Sequence, residues 1–198
     1  MNGMEHTQLA WDNQRLIESL GQLPEPVARP AFIAVSGLPG TGKSYFCKKL
    51  AERLSFIILE SDALRKALFS APSYSPQESL RLFRAVHPVI EGLLKKGISL
   101  ILDATNLSER YREYLYSIAY HLDVKLVLVR VEAPPWVVQE RLKVRQEEVD
   151  SAGNSDADWA VYQKMKPSVQ KISRKHYTVD TSRDITPVLD KIVREVSR

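Results

Sequence analysis

The chain predicts a three-layer α/β/α fold around a largely parallel five-stranded sheet, and three observations carry that expectation. Five apolar runs of strand length alternate with stretches whose apolar residues recur every three or four positions, the pattern of strands joined by crossover helices. Ser36, Asp62, Asp103 and Asp180 each follow one of the first, second, third and fifth runs, as expected where the carboxyl ends of parallel strands gather around one crevice. The 198 residues suffice for one substantial core and make one domain the economical division.

Residues 8–20 read as a leading helix with Leu9, Leu16, Ile17 and Leu20 apolar, after which Pro24, Pro26 and Pro30 impose an extended connector. Residues 1–30 are therefore expected to pack as an appendage on a domain occupying 31–198. Residues 31–36 form a first apolar strand, and Tyr45, Phe46, Leu50, Ala51 and Leu54 lie at helical spacing after it. Residues 56–60 supply a second strand and 63–69 a helix, followed by a loop rich in Pro, Ser and Tyr. The next helix repeats Leu80, Phe83, Val86, Ile90, Leu93 and Leu94 and stops at Gly97. A third strand spans 98–102, and Thr105 or Ser108 can open the helix that carries Tyr111, Leu115 and Ile118. The fourth strand covers 124–131. Residues 134–148 form a basic helix, 150–156 a polar loop expected to be mobile, and 159–173 a helix bent near Pro167. A fifth strand at 176–179 and a helix at 184–196, with Pro187 in its first turn, close the chain.

Between the first strand and its helix lies Gly37-Leu38-Pro39-Gly40-Thr41-Gly42-Lys43-Ser44, which fits G-x-x-x-x-G-K-[ST] without a gap. Glycines let such a loop turn its N–H groups onto the β-phosphate of a nucleoside triphosphate. Lys43 then reaches between the β- and γ-phosphates, and the Ser44 hydroxyl can coordinate magnesium. The strand, loop and helix occur in the order this chemistry requires.

The strand ends supply the other candidates. Asp62 can orient an attacking hydroxyl and take its proton, and Arg65, one helical turn later, can hold an anionic part of an acceptor. The bland alternative is a helix cap with a solvated arginine. Asp103 can support the magnesium shell, and Thr105 or Asn106 can bridge to the acceptor, although Thr105 is equally a capping type. Arg141 and Arg145 share a helix face and suit a lid over residues 141–158, with Arg145 the first choice for the transferring phosphoryl. Glu140, Glu147 and Glu148 allow that face to be an ordinary ion-paired surface instead. Tyr74, Arg81 and Arg84 can line an acceptor groove or be plain surface.

Composition excludes little but bounds the partners. The formal charge of +4 suits polyanions such as ATP or nucleic acid without demanding them. Cys47 is the only cysteine, so no internal disulfide or cysteine metal cluster can form, and packing is its ordinary role. His6, His87, His121 and His176 lack paired metal-binding spacing. No membrane-length apolar stretch or secretory leader is expected, which makes the cytoplasm the default location, and nothing indicates an obligate protein partner. The absence of N-K-x-D favours adenine over guanine on the donor.

The stretch from Phe32 to Ser182 resembles the stand-alone P-loop kinases of the polynucleotide-kinase and zeta-toxin-like group, often described only as AAA-domain proteins or predicted kinases. The matching segments are GLPGTGKS, SDALRKAL, LILDATNL, ERLKVRQ and KHYTVDTS. This resemblance implies a P-loop NTPase fold, ATP and magnesium as donor and cofactor, Asp62 as general base, Arg65 in the acceptor site, Asp103 in the metal-supporting centre, Arg145 as the lid arginine, and Thr181 and Ser182 near the adenine. It implies transfer to a hydroxyl, with the 5′-hydroxyl of a nucleic acid as the leading acceptor. A small-molecule acceptor, such as a sugar, nucleoside or other metabolite, is the alternative. A nucleotide-dependent switch or binding module without kinase activity is the competing class. The phosphatase, ligase and repair modules that often accompany polynucleotide 5′-kinases have no counterpart in these residues.

Overall fold

A computed structural model describes residues 2–147 and 157–197. Eight α-helices and five strands alternate among them: α1 (Asn2–Ser19), β1 (Ala31–Ser36), α2 (Lys43–Ala51), β2 (Ile57–Glu60), α3 (Ser61–Leu68), α4 (Pro76–Lys95), β3 (Leu100–Asp103), α5 (Glu109–His121), β4 (Lys125–Glu132), α6 (Pro135–Glu147), α7 (Trp159–Met165), β5 (Tyr177–Asp180) and α8 (Thr186–Val196). All pairings in the sheet are parallel, in the order β2-β3-β1-β4-β5. The expected three-layer fold is the fold observed.

Strand alternation divides the core in two. Phe32, Ala34, Leu100 and Leu102 face a layer built from α1, α3, α4 and α5, where Leu16, Leu64, Ile90 and Leu115 are buried. Ile33, Val35, Ile101 and Val129 face α2 and α8, represented by Phe46, Cys47, Leu189 and Ile192. A smaller cluster of Val138, Leu142 and Tyr162 ties α6 to α7 beside Leu38. The register sets Val35 and Glu60 on either side of Asp103, so three strands end abreast at one edge.

Two elements depart from the periodic reading. The helix expected from residue 8 begins at Asn2, because the apolar stripe starts only at Leu9 and polar leading turns leave no periodic signature. The helix expected through residue 173 ends at Met165. It passes into a 3-10 turn, Lys166–Ser168, where Pro167 has no N–H for the α ladder, and Val169 is already extended. The polar loop placed at 150–156 lies outside the described residues. Among the described residues, no helix is long and apolar enough to cross a membrane.

The leading helix is part of the core and not a tether. Leu16 has no exposed surface, and Asp12, 3% exposed, accepts two 2.7 Å bonds from Arg81 of α4. Leu16→Ala should therefore destabilise the whole domain by about 2–5 kcal/mol, visible as a lower urea midpoint with an unchanged slope. A midpoint equal to the parent's would mean that α1 packs independently of the domain.

Candidate functional site

The loop between β1 and α2 is held from two sides. Its own bonds are short: the Thr41 hydroxyl donates to the Leu38 carbonyl at 2.7 Å, and Lys43 Nζ donates to the same carbonyl at 3.2 Å. Gly42 precedes α2 with φ of +89°, and a Cβ there would meet the Thr181 Oγ1 at 2.9 Å, so both backbone conformation and space require glycine. Thr181 Oγ1 donates to the Thr41 carbonyl at 2.7 Å. Arg141 of α6 in turn donates to the Thr181 hydroxyl at 2.8 Å and to its carbonyl at 3.0 Å. Arg141 and Thr181 thus latch α6 and the β5–α8 turn onto the loop. Pro39 and Gly40 are buried, Gly40 against Val138 and Leu142 of α6. Ser182 is exposed, and both its N–H and its hydroxyl donate to Asp180. Loop amides leading into an unblocked helix start, with Lys43 and Ser44 in the first turn and no acidic residue there, suit an anionic ligand.

Asp103 ends β3 only 3% exposed, and its Oδ2 is shielded from solvent without a hydrogen-bond partner. A buried oxygen left without a donor is costly, and a cation relieves that cost. Ser44 and Asp103 line one cavity of about 330 Å³, together with Glu60 from β2, Ala63 and Leu64 from α3, and residues 19–22, which run from the last residue of α1 into the connector. A hydroxyl and a carboxylate of this kind fit magnesium, a hard cation that keeps waters and phosphate oxygens for its other positions. Among the described residues no group of three His, Cys, Asp or Glu side chains could hold a metal by itself. Cys47 lies behind Asp103 in the core, where burial and then the neighbouring carboxylate push its thiol well up from the usual range.

The remaining expected residues fall into separate environments. Asp62 stands in the first turn of α3, partly buried. Arg65, 6% exposed, turns away to α4: Nη1 donates to Glu78 at 2.5 Å and Nη2 to Ser79 at 3.2 Å, while Nε is shielded and unpartnered. Its guanidinium also lies 4.9 Å from the centre of the Tyr74 ring. Arg81 is joined to Asp12, and Arg84 is exposed on α4. Asn106, buried at φ +45°, donates from its side chain to the Val35 carbonyl at 2.9 Å, and the Thr105 carbonyl accepts from the Ser36 hydroxyl and the Gly37 N–H. Thr105 and Asn106 thereby fasten the end of β3 to the start of the phosphate loop. Arg145 is partly buried in the last turn of α6. Of the lid expected over 141–158, residues 148–156 lie outside the described residues.

Three residues that hold this site were not singled out from the sequence. Glu78 receives Arg65, the Ser73 N–H and hydroxyl and the Tyr74 N–H, and so orders the loop before α4. Its sequence signal is the Ser75-x-x-Glu78 spacing of a capping box, of which the Ser75 half is present. Arg112, 2% exposed, donates to the carbonyls of Asn106, Gln170 and Lys171 and pairs with Glu109. The three-residue spacing from Glu109 is its only local sign. Glu60, in the cavity wall, sits at a strand end beside the conspicuous Asp62.

A family model described as AAA domain matches residues 32–172, which is most of the chain. No curated protein sequence matches it significantly. Among solved structures, a gluconokinase from Sinorhizobium meliloti aligns with TM-score 0.62 at 18% identity, over 85% of this chain and 93% of that one. The APS kinase CysC of Mycobacterium tuberculosis, in complex with AMPPNP and APS, aligns with TM-score 0.63 at 18% identity, over 88% and 100%. Kti12 of Chaetomium thermophilum, in complex with ADP-AlF3, aligns with TM-score 0.64 at 17% identity, over 83% and 98%. At such identities the likeness concerns the fold: a P-loop kinase-like fold shared with several distinct families and not with one group.

The Arg65–Glu78 pair generates a pH prediction. Burial raises the Glu78 carboxyl, but the Ser73 N–H, the Arg65 guanidinium and the Ser73 hydroxyl outweigh it and hold the group at about 2, below its ordinary 4.5. A depressed carboxyl stabilises the fold fully above its unfolded value, and that contribution is lost as pH falls from about 4.5 towards 2. Urea titrations should show this acid limb in the parent chain. Glu78→Gln should be less stable near neutrality by about 3 kcal/mol, because Arg65 is left buried without its counter-charge, and its acid limb should be shallower. Superimposable pH profiles for the two proteins would remove Glu78 from this role.

Proposed function

This chain belongs to the AAA domain family, and we propose that it is a kinase that transfers the γ-phosphoryl of ATP, with magnesium, to the hydroxyl of a small-molecule acceptor. The observation that carries the reading is that Ser44, at the end of the phosphate loop, and Asp103, whose Oδ2 is buried without a hydrogen-bond partner, line one cavity. A candidate metal site that opens onto a cavity with room for a second molecule is what group transfer needs and a simple switch does not.

In this reading the loop residues 37–44 and Lys43 hold the triphosphate, and Ser44 and Asp103 hold magnesium. The bound ion would neutralise charge on the phosphates. Asp62 orients the acceptor hydroxyl and receives its proton as the new O–P bond forms and the bond to the β-phosphate oxygen breaks, releasing ADP. Arg145 offsets charge at the moving phosphoryl. Arg141 and Thr181 support the donor end through the loop they latch, and Ser182 lies beside them near the base.

The acceptor reading turns on Arg65. Reading a phosphate next to a nucleic-acid 5′-hydroxyl would require its guanidinium, yet both terminal nitrogens are engaged by α4 and Nε is shielded. That engagement favours a small molecule. Phosphorylation of a nucleic-acid 5′-hydroxyl stays the second reading, on the SDALR segment and the mild positive charge. Labelled ATP offered with small hydroxyl compounds and with 5′-hydroxyl oligonucleotides distinguishes the two, since transfer to oligonucleotides that weakens with rising salt would favour the second.

Asp62→Asn should leave ATP binding intact and lower transfer by roughly 10² to 10⁴. Lys43→Ala should weaken donor binding and transfer together. Full turnover by purified Asp62→Asn protein would remove Asp62 from proton transfer, and ATP hydrolysis with no transfer to any acceptor would favour a switch.

A further inference from the structure

We infer that Tyr74 is an acceptor-binding residue, its ring the platform on which a neutral planar ring of the acceptor stacks while the acceptor hydroxyl lies at Asp62. The inference rests on the phosphotransfer reading above and deepens it.

Tyr74 is held in a backbone conformation that a bulky side chain rarely adopts. Its φ is +54°, in the left-handed region where glycine sits without strain. One buried carboxylate enforces this. Glu78 accepts from the Ser73 N–H at 2.7 Å, the Ser73 hydroxyl at 2.8 Å and the Tyr74 N–H at 3.2 Å, while its own N–H donates to the Ser75 hydroxyl at 3.2 Å. The other end of the loop is clasped as well, since the guanidinium of Arg81, itself joined to Asp12, lies 5.2 Å from the centre of the Phe69 ring. A glycine would make the same turn at no cost, so what the strain secures is the position of a ring, and strain maintained in this way marks a side chain placed for a task.

Two observations put that task at the acceptor. The Arg65 guanidinium lies 4.9 Å from the centre of the Tyr74 ring. Arg65 is 6% exposed and Tyr74 41% exposed, so the ring covers the arginine and keeps its accessible surface on the outer side. Arg65 also follows Asp62 by three residues on α3, a spacing that sets both side chains on one helix face, roughly 5–6 Å apart at Cβ. The platform is therefore about one helical turn from the proposed base. A nucleoside or another heteroaromatic alcohol bridges such a span, with its ring on Tyr74 and its hydroxyl towards Asp62.

The ring's surroundings select the class of compound. An aromatic face attracts cations, and the inner face already holds a guanidinium, which repels a second cation from the outer one. A neutral planar ring stacks there by offset contact and buries apolar surface of both partners. A saturated sugar presents no such face. Arg65 backs the platform through its bonds to Glu78 and Ser79 and does not itself touch the acceptor.

The parent protein, with labelled ATP and magnesium, would be offered the planar alcohols adenosine, thymidine and pyridoxine, the saturated alcohols glucose, myo-inositol and gluconate, and a 5′-hydroxyl oligothymidylate. Transfer is expected to a planar compound. For that compound, Tyr74→Leu should raise KM by about tenfold or more, with kcat and the KM for ATP unchanged, whereas Tyr74→Phe and Tyr74→Trp should keep the parent's KM because they keep a ring. Tyr74→Gly should raise the acceptor KM as Tyr74→Leu does, yet have the higher Tm of the two, because glycine is free of the strain. Parent-like acceptor KM in Tyr74→Leu, with transfer intact, would overturn the platform while leaving the kinase reading standing. Transfer to the saturated alcohols or the oligonucleotide in preference to the planar compounds would overturn the acceptor class. Absence of transfer to every compound would overturn the kinase reading and this inference with it.

Discussion

Parallel register places Val35, Asp103 and Glu60 side by side at the carboxyl ends of β1, β3 and β2, and almost every feature of the candidate site follows from that alignment. The strands are short, four residues in β2 and β3, so a shift by one position would turn Asp103 to the opposite face and bury an apolar neighbour's place with a charge. The two core layers forbid such a shift, since Leu100 and Leu102 pack on one side and Ile101 on the other. Hydrophobic alternation therefore fixes the position of a carboxylate that has no hydrogen-bond partner of its own. The stability of the sheet offsets the cost of leaving that oxygen unsatisfied.

Around this edge, rigidity comes from polar groups that satisfy one another. Asn106 and Thr105 bind the end of β3 to β1, Arg112 collects three carbonyls from two segments, and Glu78 gathers Arg65 with the Ser73–Tyr74 turn. These groups are largely buried, where hydrogen bonds are strong and the loss of one partner is expensive. The arginines divide accordingly. Arg65, Arg112 and Arg141 are bonded to internal partners that order loops, and Arg81 joins α4 to α1.

The phosphate loop and the α/β/α layering were legible in the sequence because their determinants are local: eight consecutive residues in one case and apolar spacing in the other. The ends of α1 and α7 were less so, since polar leading turns carry no period and Pro167 can either bend a helix or end it. Arg65 shows the deeper limit. Its neighbours in sequence suggest a residue facing a ligand, but its partner lies 13 residues on, across a loop, and no spacing rule connects them. The Asp12–Arg81 clamp spans 69 residues and the Arg141–Thr181 latch 40, so the closing of the site depends on contacts that only the folded chain brings together. Glu78 was partly legible, as a capping residue whose second function needs the third dimension.

The loop and the cavity beside it are built from different parts of the molecule. The loop between β1 and α2 is built in backbone: glycine conformations, loop amides and a helix start, features that fit a fold shared with a gluconokinase, an APS kinase and Kti12 at 17–18% identity. The cavity beside it is lined by side chains, among them Asp103, Glu60 and Leu64, and by residues 19–22, which precede the family match. A backbone cradle suits a phosphate group whatever carries it, whereas side chains on a cavity wall can change without disturbing the sheet. A change in what the cavity holds therefore has an economical location in this architecture, where α1 packs on α3 at the cavity wall. The physical reason is that the wall meets the cavity through a few side chains, while the register of the sheet is held by Leu100, Leu102 and Ile101, which face the two cores and not the cavity.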